Sequence, residues 1–400
     1  MRPLFRSLCW LIKAAQFLAL ALSFYHTAIV VVGRAVPRPR REQPLPPPAF
    51  AAIVCARNEE AVIARLIADL FAQEAPGIQQ VIAVAHNCSD RTAEVARAAG
   101  ADVVELQTKM PGKAHAITAG AQAVRPGIDF VGIFDADSRV GPDFLHRLAP
   151  WTAGEACVQA ATFSPAAASG ARGGFWRRAR NVFYWEPRAR LGLGCTINGT
   201  GWFIRPALLR ELQPELRTLT EDLELTVLLA SAGRRVAFCP EATVRVEEPH
   251  RLHAAVRQRT RWARGHFRVI RLTIGGLLAR AARGDPRAAD LAIYLLVPTR
   301  LVTRAGVAGA ALLSLLRLPF ALPGWLAVAG LASEWVVPGA VGLQSGLVPL
   351  RRAALRLILR DVVLSVAWFP IAVWALLTAN VRDWRPMPRH EESKDAVGNP

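Results

Sequence analysis

Apolar residues run almost unbroken through Ala14–Gly33, AAQFLALALSFYHTAIVVVG, and six prolines then fall within residues 34–48. Such a run approaches the ~20 apolar residues that cross a bilayer, although Gln16, Ser23 and His26 interrupt it. A cleaved signal peptide is the rival reading, because MRPLFR makes a basic opening; the apolar stretch is long for that, and no clean small-x-small site follows. The proline-rich segment predicts a stiff, extended spacer.

From residue 49 the periodicity changes to short apolar runs alternating with amphipathic stretches. AFAAIVC (49–55) predicts a strand, and Val62, Ile63, Leu66, Ile67, Leu70 and Phe71 then share one helical face, with Asn58 available as a cap. QVIAVA (80–85), ADVVEL (101–106) and DFVGIF (129–134) predict three further strands, separated by helices over RTAEVARAAG (91–100) and GKAHAITAGAQAV (112–124). Strand–helix alternation predicts an α/β domain with an open, mainly parallel sheet. Ligands of such sheets bind beyond the carboxyl ends of the strands. Past residue 250 the chain turns basic and then apolar again, with membrane candidates at 291–316, 321–343 and 362–380. Arg300 and Arg304 lie inside the first of these, which suits a helix at an interface or inside a bundle. The expected division is 1–33 an N-terminal anchor, 34–48 a linker and 49–250 an α/β domain. Basic interfacial helices follow at 251–290, a membrane bundle at 291–380 and a polar tail at 381–400.

Charge and composition decide between partners. A net charge of +18 suits a nucleic-acid binder, since clustered Lys and Arg release counterions from phosphates. A chain that is 52% hydrophobic, with mean hydropathy +0.24, is too apolar for that class and carries no nucleic-acid-binding module. Arginines flanking apolar runs fit a multi-pass protein of a bacterial inner membrane, with the lipid bilayer as partner. Arg34, Arg38, Arg40 and Arg41 outnumber Arg2 and Arg6 across the first run, which places the α/β domain on the cytoplasmic side. The tail is left open: Arg351, Arg352, Arg356 and Arg360 argue one way, Arg382, Arg385 and Arg389 the other. The six cysteines are scattered with no C-x-x-C pair and fit a reducing compartment.

The fourth strand ends in Asp135-Ala136-Asp137, two hard oxygen donors suited to Mg²⁺ or Mn²⁺. Alone, two aspartates near a turn more often cap or solvate. They belong, however, to an ordered set that includes Arg57-Asn58-Glu59 after the first strand and His86-Asn87-Cys88-Ser89-Asp90 after the second. Gly112-Lys113, Asn198-Gly199-Thr200-Gly201, Thr220-Glu221-Asp222 and Gln258-Arg259-Thr260-Arg261-Trp262 complete it. The set resembles the family 2 glycosyltransferases, in the membrane-embedded branch of the cellulose, chitin and hyaluronan synthases, over roughly residues 50–265.

The resemblance implies a glycosyltransferase A-type fold and a nucleotide-diphospho-sugar donor, a UDP-sugar first among them. It implies one inverting displacement with Asp222 as general base, and Asp135 and Asp137 holding a divalent cation on the diphosphate. Arg57, Asn58, Glu59, His86, Asp90, Lys113, Asp135, Gln258 and Arg261 would meet the donor. Gly199, Thr200, Glu221 and Trp262 would meet a saccharide or lipid-linked acceptor. His86 stands where the family has an aspartate that contacts the base, and a neutral imidazole supplies no fixed negative charge.

Plainer readings stand beside these. Thr218 and Glu221 have capping-box spacing, and acidic residues favour a helix N-terminus. Asn58 and Asp90 can cap, Lys113 can be a solvated helix start, and paired glycines mark a tight turn. On a helix, Gln258, Arg261 and Trp262 share one side. Arginines 257, 261, 264, 268 and 271 form a stripe suited to anionic headgroups. The expected function is membrane-bound sugar transfer in polysaccharide synthesis. The alternatives are single-sugar transfer to a lipid, and a non-catalytic nucleotide-sugar-binding subunit of an export complex.

Overall fold

The computed structural model describes residues 2–109, 112–164, 173–213, 216, 218–246, 252–296, 300–345 and 370–379. Its chain forms two compact units. One comprises Met1–Pro39, Arg178–Cys195 and Ile274–Leu377, and the other Arg40–Arg177, Thr196–Thr273 and Thr378–Pro400.

The second unit is built on one eight-stranded sheet. Its strands are β1 (Phe50–Ala56), β2 (Ile78–His86), β3 (Asp102–Leu106), β4 (Phe130–Asp135), β5 (Arg139–Val140), β6 (Cys157–Phe163), β7 (Trp202–Ile204) and β8 (Val236–Arg245), in the order β3-β2-β1-β4-β7-β6-β8-β5. The first four are the expected strands and pair in parallel, so their carboxyl ends share one edge. β7 runs antiparallel between β4 and β6, and β8 returns parallel to β6. Helices Ile63–Phe71, Thr92–Ala98 and Lys113–Gln122 make the crossovers. The first presents Ile63, Leu66, Ile67 and Leu70 to the core, each with no solvent exposure. Full burial of such a side chain stabilises by roughly 1.5–3 kcal/mol. Phe50, Phe134 and Phe203 meet edge to face with centroids 5.7 and 5.8 Å apart, closing the centre of one sheet face. The chain between residues 37 and 49 has no helix or strand, in keeping with an extended linker. Arg41 ties it down, ion-paired to Glu155 at 3.1 Å and stacked 4.6 Å over Trp151.

In the other unit the first helix, Arg2–Ala35, contains Phe5–Ala35, which is long and apolar enough to cross a membrane. Gly324–Gln344 also qualifies, and it overlaps the expected 321–343. Of the 291–316 run, 291–296 lie in helix Pro286–Leu296 and 300–315 form helix Arg300–Leu315, while 297–299 lie outside the described residues. Of 362–380, only 370–379 fall within the described residues, and the tail 381–400 lies outside them.

Several polar groups inside this apolar unit are paired. Gln16 donates to the Phe320 carbonyl at 3.0 Å, and Ser23 donates to the Ser333 hydroxyl at 2.9 Å. Arg188 is ion-paired with Asp290 at 3.0 Å, both almost fully buried. Arg188 also reaches His26 Nδ1 at 3.3 Å; a guanidinium only donates, so that nitrogen accepts. Small residues permit close helix approach: a Cβ on Gly306 would lie 2.6 Å from Ala19, and one on Gly330 would lie 2.3 Å from Leu20. Arg304, expected to need a bundle interior, finds Glu334 at 3.3 Å, and that glutamate is fully buried.

That pair gives a test of the unit's packing. Arg304→Leu strands a buried carboxylate and should destabilise by about 3–5 kcal/mol. The Arg304→Leu/Glu334→Leu double variant should recover most of the loss. Melting temperatures in detergent check it, and equal loss in the single and double variants contradicts it.

Candidate functional site

The parallel edge delivers its loops to one place. β1 ends into Arg57-Asn58 and β2 into His86-Asn87, and both asparagines adopt left-handed backbone (φ 55° and 52°) that turns the chain off the sheet. Asn58 does not cap the helix that follows, whose N-cap is Val62; its side-chain oxygen accepts from the Ser89 amide at 2.8 Å. Asp90 accepts from the Glu60 amide at 3.2 Å and the Thr92 amide at 3.1 Å, the latter at the start of helix Thr92–Ala98. The Glu59 amide donates to Thr92 Oγ1 at 2.8 Å. Asn58, Glu59 and Asp90 thus lace the loops after β1 and β2 into one wall, with Arg57 half-buried beside it.

His86 is almost fully buried, and its Nε2 has no hydrogen-bond partner among the described residues. Burial first, then Arg57 and His115, push its pKa below the usual range, so the ring is neutral near pH 7.

The centre of the site is Lys113. Its side chain is 17% exposed, and Nζ donates to Asp135 Oδ1 at 2.7 Å and to the Gly199 carbonyl. The solvated-lysine reading is therefore set aside. Burial alone would lower its pKa; Asp135, together with Cys55 and Glu221, outweighs burial and holds the ammonium above its ordinary value. Asp135 closes β4, but Asp137 lies in a turn fastened by the Ser138 amide on the Asp135 carbonyl at 3.0 Å. Asp137 is 8% exposed, whereas the Asp135 side chain is 40% exposed.

Among the described residues no three acidic, His or Cys side chains are grouped to hold a metal. Two carboxylates, that of Asp135 40% exposed, still suit a hard cation that draws its remaining ligands from diphosphate and water. The donor set fits Mg²⁺ or Mn²⁺ in that shared mode.

Gly199 joins this donor side to the acidic motif. Its amide donates to Asp222 Oδ2 at 2.8 Å, while its carbonyl takes Lys113. Gly199 and Gly201 both have positive φ, and a Cβ at Gly201 would lie 2.4 Å from Val244, so this turn requires glycine. Thr200 Oγ1 accepts from the Asp135 amide at 3.1 Å and meets Ser138 Oγ at 2.8 Å, which fixes the turn to the end of β4.

Glu221 and Asp222 open helix Glu221–Ser231. The expected capping box is not formed. Thr220 is the N-cap without a side-chain bond, and the Thr218 amide donates to Glu224 at 2.7 Å instead. Glu221 is buried, and burial followed by Asp222 raises its carboxyl to about 7, partly offset by Lys113.

The arginine segment lies in one helix, Leu252–Ala282, so Gln258, Arg261 and Trp262 share a side, and Trp262 is 45% exposed. Gly265 is one turn on from Arg261 on that same side. A Cβ there would lie 2.3 Å from Thr220 Cγ2, so the glycine lets this face close on the turn carrying Glu221 and Asp222. Arg264, in the stripe expected to meet headgroups, donates to Thr378 at 2.9 Å.

Two participants escape sequence reasoning: Gln159 is a polar residue in an apolar strand, and Gly265 a glycine inside a helix, while Gly112 of the motif set takes a positive φ (123°) just before Lys113. Gln159 and Gly265 each break their local pattern, which is the available signal.

A protein-family model described as glycosyltransferase like family 2 matches residues 46–265. The beta-monoglucosyldiacylglycerol synthase of Synechocystis sp. (strain ATCC 27184 / PCC 6803 / Kazusa) is 28% identical over 277 residues, covering 65% of this chain and 56% of its own. An N-acetylglucosaminyltransferase of Rhizobium leguminosarum bv. viciae is 29% identical over 245 residues, covering 56% of this chain and 57% of its own. The chain thus spans little more than half the length of these relatives. A solved mannosyltransferase, PcManGT from Pyrobaculum calidifontis in complex with GDP-Man and Mn²⁺, shares the fold at TM-score 0.57 and 18% identity, over 92% of this chain and 99% of that one.

The raised Glu221 carboxyl gives a pH signature. It keeps its proton where an unfolded glutamate, near the ordinary 4.5, has lost it, so it weakens the fold as pH rises from there to about 7. Glu221→Gln should therefore gain melting temperature relative to the parent between pH 5 and pH 8. A gap that stays constant with pH contradicts the raised value.

Proposed function

The chain belongs to glycosyltransferase family 2, and from that premise we propose that it moves a sugar from a nucleotide-diphospho-sugar to an acceptor hydroxyl by one inverting displacement at a bacterial inner membrane. One observation carries this reading. The Asp222 carboxylate and the Lys113–Asp135 pair are held on the two sides of Gly199, so a base and a diphosphate-binding charge face a common space.

In the proposed reaction Asp222 takes the acceptor hydroxyl proton as that oxygen bonds to the sugar's anomeric carbon. The bond from that carbon to the diphosphate breaks, and the nucleoside diphosphate leaves with the electron pair. Lys113 and Arg261 meet the leaving diphosphate, each charge-assisted bond contributing roughly 1.5–3 kcal/mol. Asp135 and Asp137 would hold a divalent cation, which supplies charge neutralisation on the leaving group. The wall of Arg57, Asn58, Glu59, His86 and Asp90 takes the nucleotide; the unpartnered His86 Nε2 offers a neutral contact to the base edge. Trp262 and the Gly199-Thr200 turn, with Glu221 behind, border the acceptor.

For the acceptor we propose a lipid-borne hydroxyl. The Synechocystis relative is named for a glucosylated diacylglycerol, and helices Phe5–Ala35 and Gly324–Gln344 are apolar enough to bring this chain to lipid. A growing saccharide is the second reading, favoured by the half-exposed Trp262 in Gln258-x-x-Arg261-Trp262. On either reading the sheet unit faces the cytoplasm, where nucleotide sugars are.

The base and the arginine should fail differently. Asp222→Asn should cut turnover by at least about 10²-fold with donor affinity near normal. Arg261→Ala should weaken nucleotide binding as well as turnover. Binding and transfer assays in nanodiscs check both, and wild-type turnover in Asp222→Asn refutes the base. EDTA should abolish transfer, and Mg²⁺ or Mn²⁺ should restore it; full turnover in EDTA removes the metal role.

A further inference from the structure

Gln159 is a fully buried amide in the largely apolar strand β6. Its neighbours Cys157, Val158, Ala160 and Ala161 are all buried, and Gln159 itself is 0% exposed. Burying an amide is unfavourable unless its hydrogen bonds are made, so an apolar side chain would suit the strand alone better. The amide is instead used on the turn at the base. Oε1 accepts from the Asn198 amide at 2.8 Å, and Nε2 donates to the Thr200 carbonyl at 3.1 Å, with further contacts to the Ala160 carbonyl at 2.8 Å and the Gly201 carbonyl at 3.3 Å.

These bonds clamp the main chain immediately before and immediately after Gly199. The glycine needs such a clamp, because its left-handed backbone (φ 37°) is one choice among several open to it. Its amide orients Asp222 and its carbonyl orients Lys113. An error of about 1 Å in such a placement costs on the order of 10²-fold in rate.

We propose that Gln159 is a positioning residue for sugar transfer, acting through the Gly199 main chain to aim the Asp222 carboxylate at the acceptor hydroxyl. The inference rests on the reading of Asp222 as the base. It assigns Gln159 no contact with donor or acceptor. The part of its contribution that runs through Asp222 exists only while Asp222 has a proton to take, which separates it from a residue that merely holds the sheet together.

A double-mutant cycle on turnover in nanodiscs tests this. Gln159→Met keeps the volume and removes the clamp, and it should lower kcat by about 10- to 100-fold. In an Asp222→Asn background the part that runs through Asp222 is gone, so Gln159→Met should lower turnover by at least about 5-fold less than it does in the parent. A purely structural role would give losses that multiply. Multiplying losses, or unchanged kcat in folded Gln159→Met, overturn the proposal. Should Gln159→Met fail to fold, Gln159→Asn, one methylene shorter, carries the same cycle. Wild-type turnover in Asp222→Asn alone would instead refute the base, so the two failures are distinguishable.

Discussion

A buried ammonium is the constraint around which the sheet unit is arranged. Lys113 enters the end of the parallel strands almost without solvent, and an unpaired charge there would be driven to lose its proton. Asp135 and the Gly199 carbonyl keep it charged. Three separate segments must therefore converge: the end of β4, the start of helix Lys113–Gln122 and the Asn198–Gly201 turn. The convergence is fixed in turn by Gln159, by Thr200 and by the glycines at 112 and 201. In the proposed reaction a site so held would supply fixed charge to the leaving diphosphate with little reorganisation, which is where preorganised electrostatics are most effective.

The apolar unit obeys the same rule in a different setting. Its buried charges come in pairs, Arg188 with Asp290 and Arg304 with Glu334, and its hydroxyls and amides bond across helices. An apolar unit cannot leave such groups to water, so each polar side chain specifies which helix lies beside which.

Legibility in the sequence followed the strength of local pattern. β1 to β4 are short apolar runs alternating with amphipathic helices, and their parallel pairing follows from that alternation. β5 and β7 have two and three residues, too short for any periodicity, and β8 carries Pro240 and Glu241 beside an irregular register with β6. Arg178–Cys195, which joins the apolar unit, is rich in arginine and reads as surface. At the site, the motif residues could be found by their order. Their geometry could not: Asn58 and the Thr218–Glu221 spacing both suggest caps that the chain does not make, because loop-to-loop bonds and Glu224 satisfy those groups first. Gln159 and Gly265 carry no motif and become intelligible only when the partner backbone is seen.

The central claim is a single displacement at the anomeric carbon with Asp222 facing the donor across Gly199. The most direct measurement is the anomeric configuration of the new glycosidic bond, read by proton NMR of the product. Transfer from an α-linked nucleotide sugar should give a β-linked product. An α-linked product would contradict the account, because retention requires either two displacements or attack from the face of the leaving diphosphate.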